Sequence, residues 1–270
     1  MAAVASGGTW DAALPAGGFA AVRSVGFEPV GQVFGAAVYY LATVAGVSCP
    51  GTTGASYPPS DTGPAGRLAD SLLGGRRTAL ERMAAGCAEI GGHGIVGATL
   101  RVTEIPATSL TAAAIEFTVA GTAVRANGCP PLARPFASEL SGSDFAKLVM
   151  SGWVPAGIAL GLSVAGLHDE LVTTSSGSWG TANAEVPTYP RLVSAARAAA
   201  RDRLELSVRG LGADGVVVSA LTLRVRSDRC HAHAAATDHF AEAVITGTAV
   251  ARIGGAKRGS PPPCLAVLYL

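Results

Sequence analysis

Apolar residues along this chain follow two spacings, and the same order of spacings occurs twice. Runs rich in Val, Ile and Leu predict strands, whereas apolar residues three or four positions apart predict helices. In the first half, this pattern predicts a short helix, a strand, a long helix and two further strands. They are expected at residues 18–25, 30–44, 66–90, 94–102 and 114–124.

The second half predicts the same order of elements. Ser143 or Asp144 is expected to cap a short helix that ends at Met150. A strand follows at 156–164, and a long helix begins near Pro190. Strands are predicted at 215–225 and 241–251. The apolar stripe of the long helix is formed by Val193, Ala196, Ala200, Leu204, Val208 and Leu211.

Two pairs of matching segments show that the chain is a duplication. FAAVRSVGFEPVGQVFG at 19–35 matches FAKLVMSGWVPAGIALG at 145–161, and GTAV at 121–124 returns at 247–250. Both pairs have an offset of 126 residues. The sequence therefore predicts one repeat at 10–128, a second at 136–254, and a tail at 255–270 that contains prolines. The apolar end of the tail, 265–270, is expected to dock on the body or on a neighbouring chain.

Each repeat is predicted to be an α+β unit with βαββ order, in which one long helix packs on a small antiparallel sheet. Gly91 and Gly212 follow the long helices and are expected to take the left-handed conformation that ends a helix. The insertions at 47–65 and 167–190 interrupt the pattern. Trp179, Asn183, Glu185 and Tyr189 of the second insertion form either a recognition surface or an anchor for the second long helix.

Composition narrows the classes of function. Hydrophobic residues make up 49% of the chain and charged residues only 14%, which predicts that much of the surface is covered by a sister repeat or by other subunits. The net charge of +1 gives no reason to expect nucleic-acid binding. No apolar run approaches the roughly 18 residues of a membrane span, and the N-terminus lacks the basic region of a signal peptide. A cytoplasmic protein is expected.

The candidate metal ligands are Cys230, His231 and His233. Thiolate and imidazole groups are preferred ligands of zinc and copper, and their close spacing suits a shallow site. The competing interpretation is a polar loop between two strands, because repeat one has neither Cys nor His at this place. Cys87 is expected to be a buried, inert thiol, and His93 a turn residue.

Catalytic motifs do not emerge from the sequence. Ser175, Ser176, Ser178 and the His168–Asp169 pair lie in one insertion, but no G-x-S-x-G motif accompanies them. Neither a P-loop nor a dinucleotide-binding glycine motif is present. We therefore expect a protein that is not an enzyme and has no organic cofactor. The alternative of an enzyme with a pocket between subunits depends on the assembled structure.

The helix-to-strand segments carry a family resemblance. Repeat one reads RTALERM at 77–83, IGGHGIVGA at 90–98 and AGTAV at 120–124. Repeat two reads LGADGVVVS at 211–219 and TGTAV at 246–250. These segments resemble the YbjQ family (the UPF0145 or DUF74 domain), described as a heavy-metal-binding domain. There a helix leads into LGAxAVVGV and the last strand ends in SGTAV.

The resemblance implies two tandem dodecin-like domains and a bacterial homo-oligomer in which strands pair between subunits to form a pentameric ring. The tandem fusion leaves other assemblies open: two stacked rings built from five chains, a closed dimer, or a larger cylinder. The first functional hypothesis is thus a ring- or barrel-forming structural and binding protein. The second is metal binding or sensing through Cys230, His231 and His233.

Overall fold

A computed structural model describes residues 14–42, 56–57, 64–105, 112–130, 132, 134–169, 188–229, 237–253 and 266–267. Within these residues there are four helices: α1 Ala16–Ser24, α2 Pro64–Glu89, α3 Gly142–Met150 and α4 Thr188–Gly210. The strands of the same part of the chain are β1 Phe27–Ala42, β2 Ser56–Tyr57, β3 Gly94–Ile105, β4 Ala112–Ala126, β5 Phe136–Ala137, β6 Trp153–Asp169, β7 Gly215–Arg229, β8 Thr237–Arg252 and β9 Ala266–Val267. The α+β class predicted from the sequence is confirmed.

The strands form two sheets with the same plan. Sheet A has the order β1-β4-β3-β5, and sheet B has the order β2-β6-β8-β7-β9. In each sheet three long strands pair antiparallel, and a two-residue strand joins the edge in parallel. The strand β9 pairs with Gly215 and Val216 of β7, so Ala266 and Val267 of the tail dock on the body as expected.

The registers of the two sheets are equivalent residue by residue. Phe27 faces Ala126 in sheet A, and Trp153 faces Arg252 in sheet B, which preserves the offset of 126 residues. The register shifts after Pro29 and again after Pro155, because proline has no N–H to donate to the ladder. This bulge lies inside the strands. The strands therefore begin before the prolines, right after the turns at Gly26 and Gly152.

The helices and sheets form alternating layers. Helix α4 packs on one face of sheet B, with Ala196, Ala200 and Val208 fully buried. Helix α2 packs on sheet A through Ala79, Met83 and its neighbours, and the same helix also contacts the second face of sheet B. The resulting order is α4, sheet B, α2, sheet A. None of the described helices is long and apolar enough to cross a membrane.

Helices α1 and α3 pack on each other at the end of the two sheets. Phe145 of α3 is completely buried and makes an edge-on contact with Phe27, whose ring centre is 5.0 Å away. Ser141 caps α3 by accepting a hydrogen bond from the Asp144 N–H, so neither of the two capping residues predicted from the sequence is the N-cap.

The ends of the long helices follow the sequence prediction. Gly91 and Gly212 have φ values of +71° and +66°, the left-handed conformation expected after a helix. His93 accepts a hydrogen bond at Nδ1 from the Ala126 N–H, 3.2 Å away. Asp214 does the same for the Arg252 N–H in repeat two, at 3.1 Å. The turn role of His93 is confirmed.

Gly35 allows helix α2 to lie directly on strand β1. A Cβ atom at this position would overlap the carbonyl oxygen of Ala79 and lie 2.7 Å from the Met83 nitrogen. Gly161 has the same relation to Ala200 on helix α4. The register of β1 runs evenly through Gly35, so the glycine does not mark a bulge or a kink. The glycine serves close packing instead.

We expect Gly35→Ala to destabilise the fold, since the methyl group must separate the helix from the strand. The cost is about 2–3 kcal/mol, or roughly 5–10 °C in the thermal unfolding midpoint. Gly86→Ala on the same helix is the matched control, because a Cβ there meets nothing within 4 Å. The control is expected to gain up to about 1 kcal/mol. Equal midpoints for both variants would disprove the close-packing role.

Candidate functional site

The contact between helix α2 and the second face of sheet B joins the two repeats. Leu68 and Leu72 of the helix are buried in one cluster with Leu162, Val164 and Phe240 of the sheet. The helix is thus apolar on two sides, one toward each sheet. This arrangement covers in sheet B a face that would otherwise present large apolar residues to solvent.

An ion pair lies within this interface. Arg76 Nη2 is 3.8 Å from Glu242 Oε1, and the two side chains are only 6% and 13% exposed. Arg76 also donates a hydrogen bond from Nη1 to the Leu72 carbonyl at 2.9 Å, and its guanidinium lies 5.3 Å from the centre of the Phe117 ring. Burial lowers the pKa of Arg76, and the Glu242 carboxylate opposes that effect. Such a pair fixes the position of the interface more than it adds stability.

A cavity of about 410 Å³ lies beside this ion pair, between β3 of sheet A and β7 of sheet B. Arg224 on one wall faces Glu104 on the other, with 4.0 Å between Nη1 and Oε1. Because both signs of charge line the cavity, it does not select a ligand of one charge. Its ionisable lining residues are Arg76, Glu104, Glu139, Arg224, Arg226 and Glu242.

Glu139 is a polar residue that connects the segment after β5 to the second repeat. It follows strand β5, and its N–H donates a hydrogen bond to Thr248 Oγ1 of sheet B at 3.0 Å. Burial raises the pKa of its carboxyl group, while hydrogen bonds with Ser219 and Thr246 lower it in part. The segment after β5 is thereby attached to the same face of sheet B that holds α2.

A second polar cluster lies where β6 ends and β8 begins. His168 is completely buried, and its Nδ1 is 2.6 Å from Asp238 Oδ1. The two residues face each other across the strands. Their equivalents in sheet A are Ala42 and Ala112, which also pair, so this cluster belongs to repeat two alone.

His239 is adjacent to Asp238 but belongs to the opposite face of the sheet. Its Nδ1 is 2.8 Å from Ser227 Oγ and 3.0 Å from the Tyr189 hydroxyl of helix α4. The serine and the carboxylate therefore contact different histidines on different faces. Within the described residues they do not form the nucleophile, base and acid series of a hydrolase.

The predicted metal ligands Cys230, His231 and His233 lie outside the described residues, in the connection between Arg229 and Thr237. The described part of the chain contains no cluster of three ligand-type residues able to hold a metal. Cys87 is fully buried, and burial raises the pKa of its thiol to about 11, as expected of an inert thiol. Its Sγ contacts the Gly94 carbonyl at 3.4 Å.

The outer face of sheet A is the largest contrast between the repeats. Phe34, Val38 and Tyr40 of β1 are 49%, 53% and 78% exposed. At the positions of sheet B equivalent to Phe34 and Val38, Leu160 and Val164 are 6% and 2% exposed, on the face that helix α2 covers. Comparing the two copies in the sequence could have pointed to this face, but alternation alone does not reveal which face of a strand is covered.

Comparison with known proteins finds a curated relative. The encapsulin nanocompartment protein Rv1762c of Mycobacterium tuberculosis is 27% identical over 248 residues, which cover 90% of this chain and 86% of the relative. No family model matches the sequence. No solved structure matches either. The resemblance to the YbjQ family therefore stays a prediction.

The pH dependence of stability tests the position of Glu139. Because its folded-state pKa is raised, the folded protein favours the protonated form. Its contribution is most favourable below the ordinary glutamate pKa of about 4.3 and declines as the pH rises through the folded value. Glu139→Gln keeps a neutral group, so we expect its unfolding midpoint to exceed that of the unsubstituted protein increasingly from pH 4 to pH 7.5.

The matched control for this measurement is Glu205→Gln on the exposed side of α4. Glu205 pairs with Arg209 at the surface and lies far from the repeat interface. Two results would contradict a raised pKa of Glu139 in the folded protein. The first is a gain in unfolding midpoint for Glu139→Gln that does not change with pH, and the second is the same pH profile for both variants.

Proposed function

We propose that this protein is a non-enzymatic structural protein that assembles with copies of itself into a ring or closed shell. The observation that carries the proposal is the exposed apolar face of sheet A, whose equivalent in sheet B is covered. Exposed patches of this kind on a single chain are characteristic of protein interaction sites. Tandem YbjQ-like domains are the architecture that we propose for the two repeats.

The relative in M. tuberculosis is named as a nanocompartment protein, and the match spans most of both chains. A single chain of this size cannot enclose a compartment, so a protein wall around one needs many copies. The name of the relative and the exposed apolar face of sheet A therefore both favour contacts between copies. Unpaired strand edges support the same function. Within the described residues, β1 pairs only with β4, which leaves its other edge available for pairing between chains.

Native mass measurement at nanomolar to micromolar concentration tests this function. We expect a defined particle that is a multiple of 26.9 kDa and large compared with one chain. Mass photometry and electron microscopy of the same sample would show its mass and shape. A stable particle with the mass of one chain across the concentration range would disprove self-assembly.

We propose metal binding at Cys230, His231 and His233 as a second function. The observation that favours it is the placement of their connection, which joins the end of β7 to the start of β8, where His168, Asp238 and His239 lie. Imidazole and carboxylate groups at these strand ends would lie near the connection. Zn(II) or Cu(I) are the metals that this set of donors prefers.

Calorimetric titration with Zn(II) and Cu(I) tests the second function. We expect about one metal per chain for the unsubstituted protein and loss of uptake in the Cys230→Ala/His231→Ala/His233→Ala variant. The Cys87→Ala variant is the control, because its thiol is buried in repeat one against the Gly94 carbonyl. Equal uptake by the triple variant and the unsubstituted protein would exclude this site.

A further inference from the structure

We propose that the exposed face of sheet A binds helix α4 of a second copy, in a head-to-tail contact that repeats the packing of α2 on sheet B. The inference rests on the proposed self-assembly and names the two surfaces that meet. Each copy would offer sheet A at one end and α4 at the other. Such a heterologous contact leaves both surfaces available for further copies, as rings and shells require.

The structure itself aligns the two long helices. Arg82 of α2 donates a hydrogen bond to the Ala36 carbonyl of sheet A, and Arg203 of α4 donates one to the Leu162 carbonyl of sheet B. Ala36 and Leu162 are equivalent at the offset of 126 residues. Gly35 and Gly161 also contact Ala79 and Ala200 in the same way. Arg82 and Arg203, like Ala79 and Ala200, are 121 residues apart. A residue of α2 therefore corresponds to the residue of α4 that lies 121 positions later.

Helix α2 uses one further side to bind sheet B, through Leu68, Leu72 and Arg76. Adding 121 residues gives Tyr189, Val193 and Arg197 on α4. Tyr189 and Val193 are half-buried and Arg197 is exposed, whereas their three equivalents on α2 are all buried. Tyr189 contacts His239 and Val193 packs on the core between α4 and sheet B, so the position on α4 that stays exposed is Arg197, the equivalent of Arg76.

The receiving face has matching equivalents. Within the chain, Arg76 reaches Glu242 of β8, and subtracting 126 residues from Glu242 gives Glu116 of β4. Glu116 is half-buried on the outer face of sheet A, directly across from Val38 of β1. The exposed apolar residues of that face thus surround the carboxylate that an incoming arginine would need.

Charge complementarity favours a second copy as the occupant. Within the described residues, neither Arg197 nor Glu116 takes part in an ion pair. Their equivalents Arg76 and Glu242 form one at the covered interface. Docking α4 on sheet A would give Arg197 and Glu116 each a partner of opposite charge, as the within-chain contact does for Arg76 and Glu242.

Differences in side-chain size distinguish the two interfaces. Sheet A has Ala36 and Ala114 where sheet B has Leu162 and Phe240, and it has Tyr40 where sheet B has Gly166. The outer face of sheet A is therefore not a copy of the surface that α2 occupies. Selection between the two helices then depends on shape as well as on the shared Arg–Glu pair.

Charge reversal tests the contact with the full-length protein. In Arg197→Glu, the introduced carboxylate would meet the carboxylate of Glu116, and in Glu116→Arg, two guanidinium groups would meet. We expect each variant alone to assemble at least ~10-fold more weakly, because like charges across an interface are strongly unfavourable. An equimolar mixture should recover assembly, since contacts that join the two reversed positions again bring opposite charges together. Mass photometry measures all three samples.

Two further variants sharpen the result. Arg191→Glu is the matched control, because its equivalent Asp70 stays exposed beside the α2 interface, so we expect unchanged assembly. Val38→Asp changes an exposed residue of sheet A and should also weaken assembly at least ~10-fold. Circular dichroism and thermal unfolding establish that each variant folds.

The outcomes separate this contact from assembly itself. Normal assembly of Arg197→Glu and Glu116→Arg would overturn the contact while leaving self-assembly intact. A third result would also overturn the contact with α4: Glu116→Arg and Val38→Asp weaken assembly, Arg197→Glu does not, and the mixture shows no recovery. In that case a surface other than α4 covers sheet A. A monomeric unsubstituted protein would remove the proposed function and this inference together.

Discussion

The packing of helix α2 between two sheets is the constraint on which the rest of this structure depends. A helix that is buried between two sheets must be apolar on two faces. It must also lie close to the first sheet, so that the second sheet can pack against its other side. Gly35 allows that approach on sheet A. On the side of sheet B, the buried charge of Arg76 is tolerated because the guanidinium forms an ion pair with Glu242 and donates a hydrogen bond to the Leu72 carbonyl.

The two repeats share a backbone plan but differ in what covers their sheets. Sheet B has a helix on each face, whereas sheet A has α2 on one face and exposed residues such as Val38 on the other. Duplication explains this asymmetry, because in a linear pair only one of the two repeats can receive a helix from its sister.

The candidate sites were predictable to different degrees. Cys87 and His93 were recognisable as structural, since a small apolar position on a helix and a turn position have clear sequence patterns. The pairing of Arg76 with Glu242 was not, because the residues are 166 positions apart and neither has a distinctive neighbour. His168 and Asp238 meet only through the register of the long strands β6 and β8. The sequence prediction ended the first of these strands at residue 164 and therefore did not include His168.

The sequence by itself determined the duplication, the α+β class and the order of the helices and the long strands, because periodicity and glycine positions are local properties of the chain. The caps showed the limit of local inference, since Ser141 rather than Ser143 or Asp144 caps α3. Only the tertiary structure decided that α2 packs on both sheets and that Val38 and Tyr40 on the outer face of sheet A are exposed. Alternation along a strand shows that it has two faces, whereas burial of either face depends on residues far away in the chain.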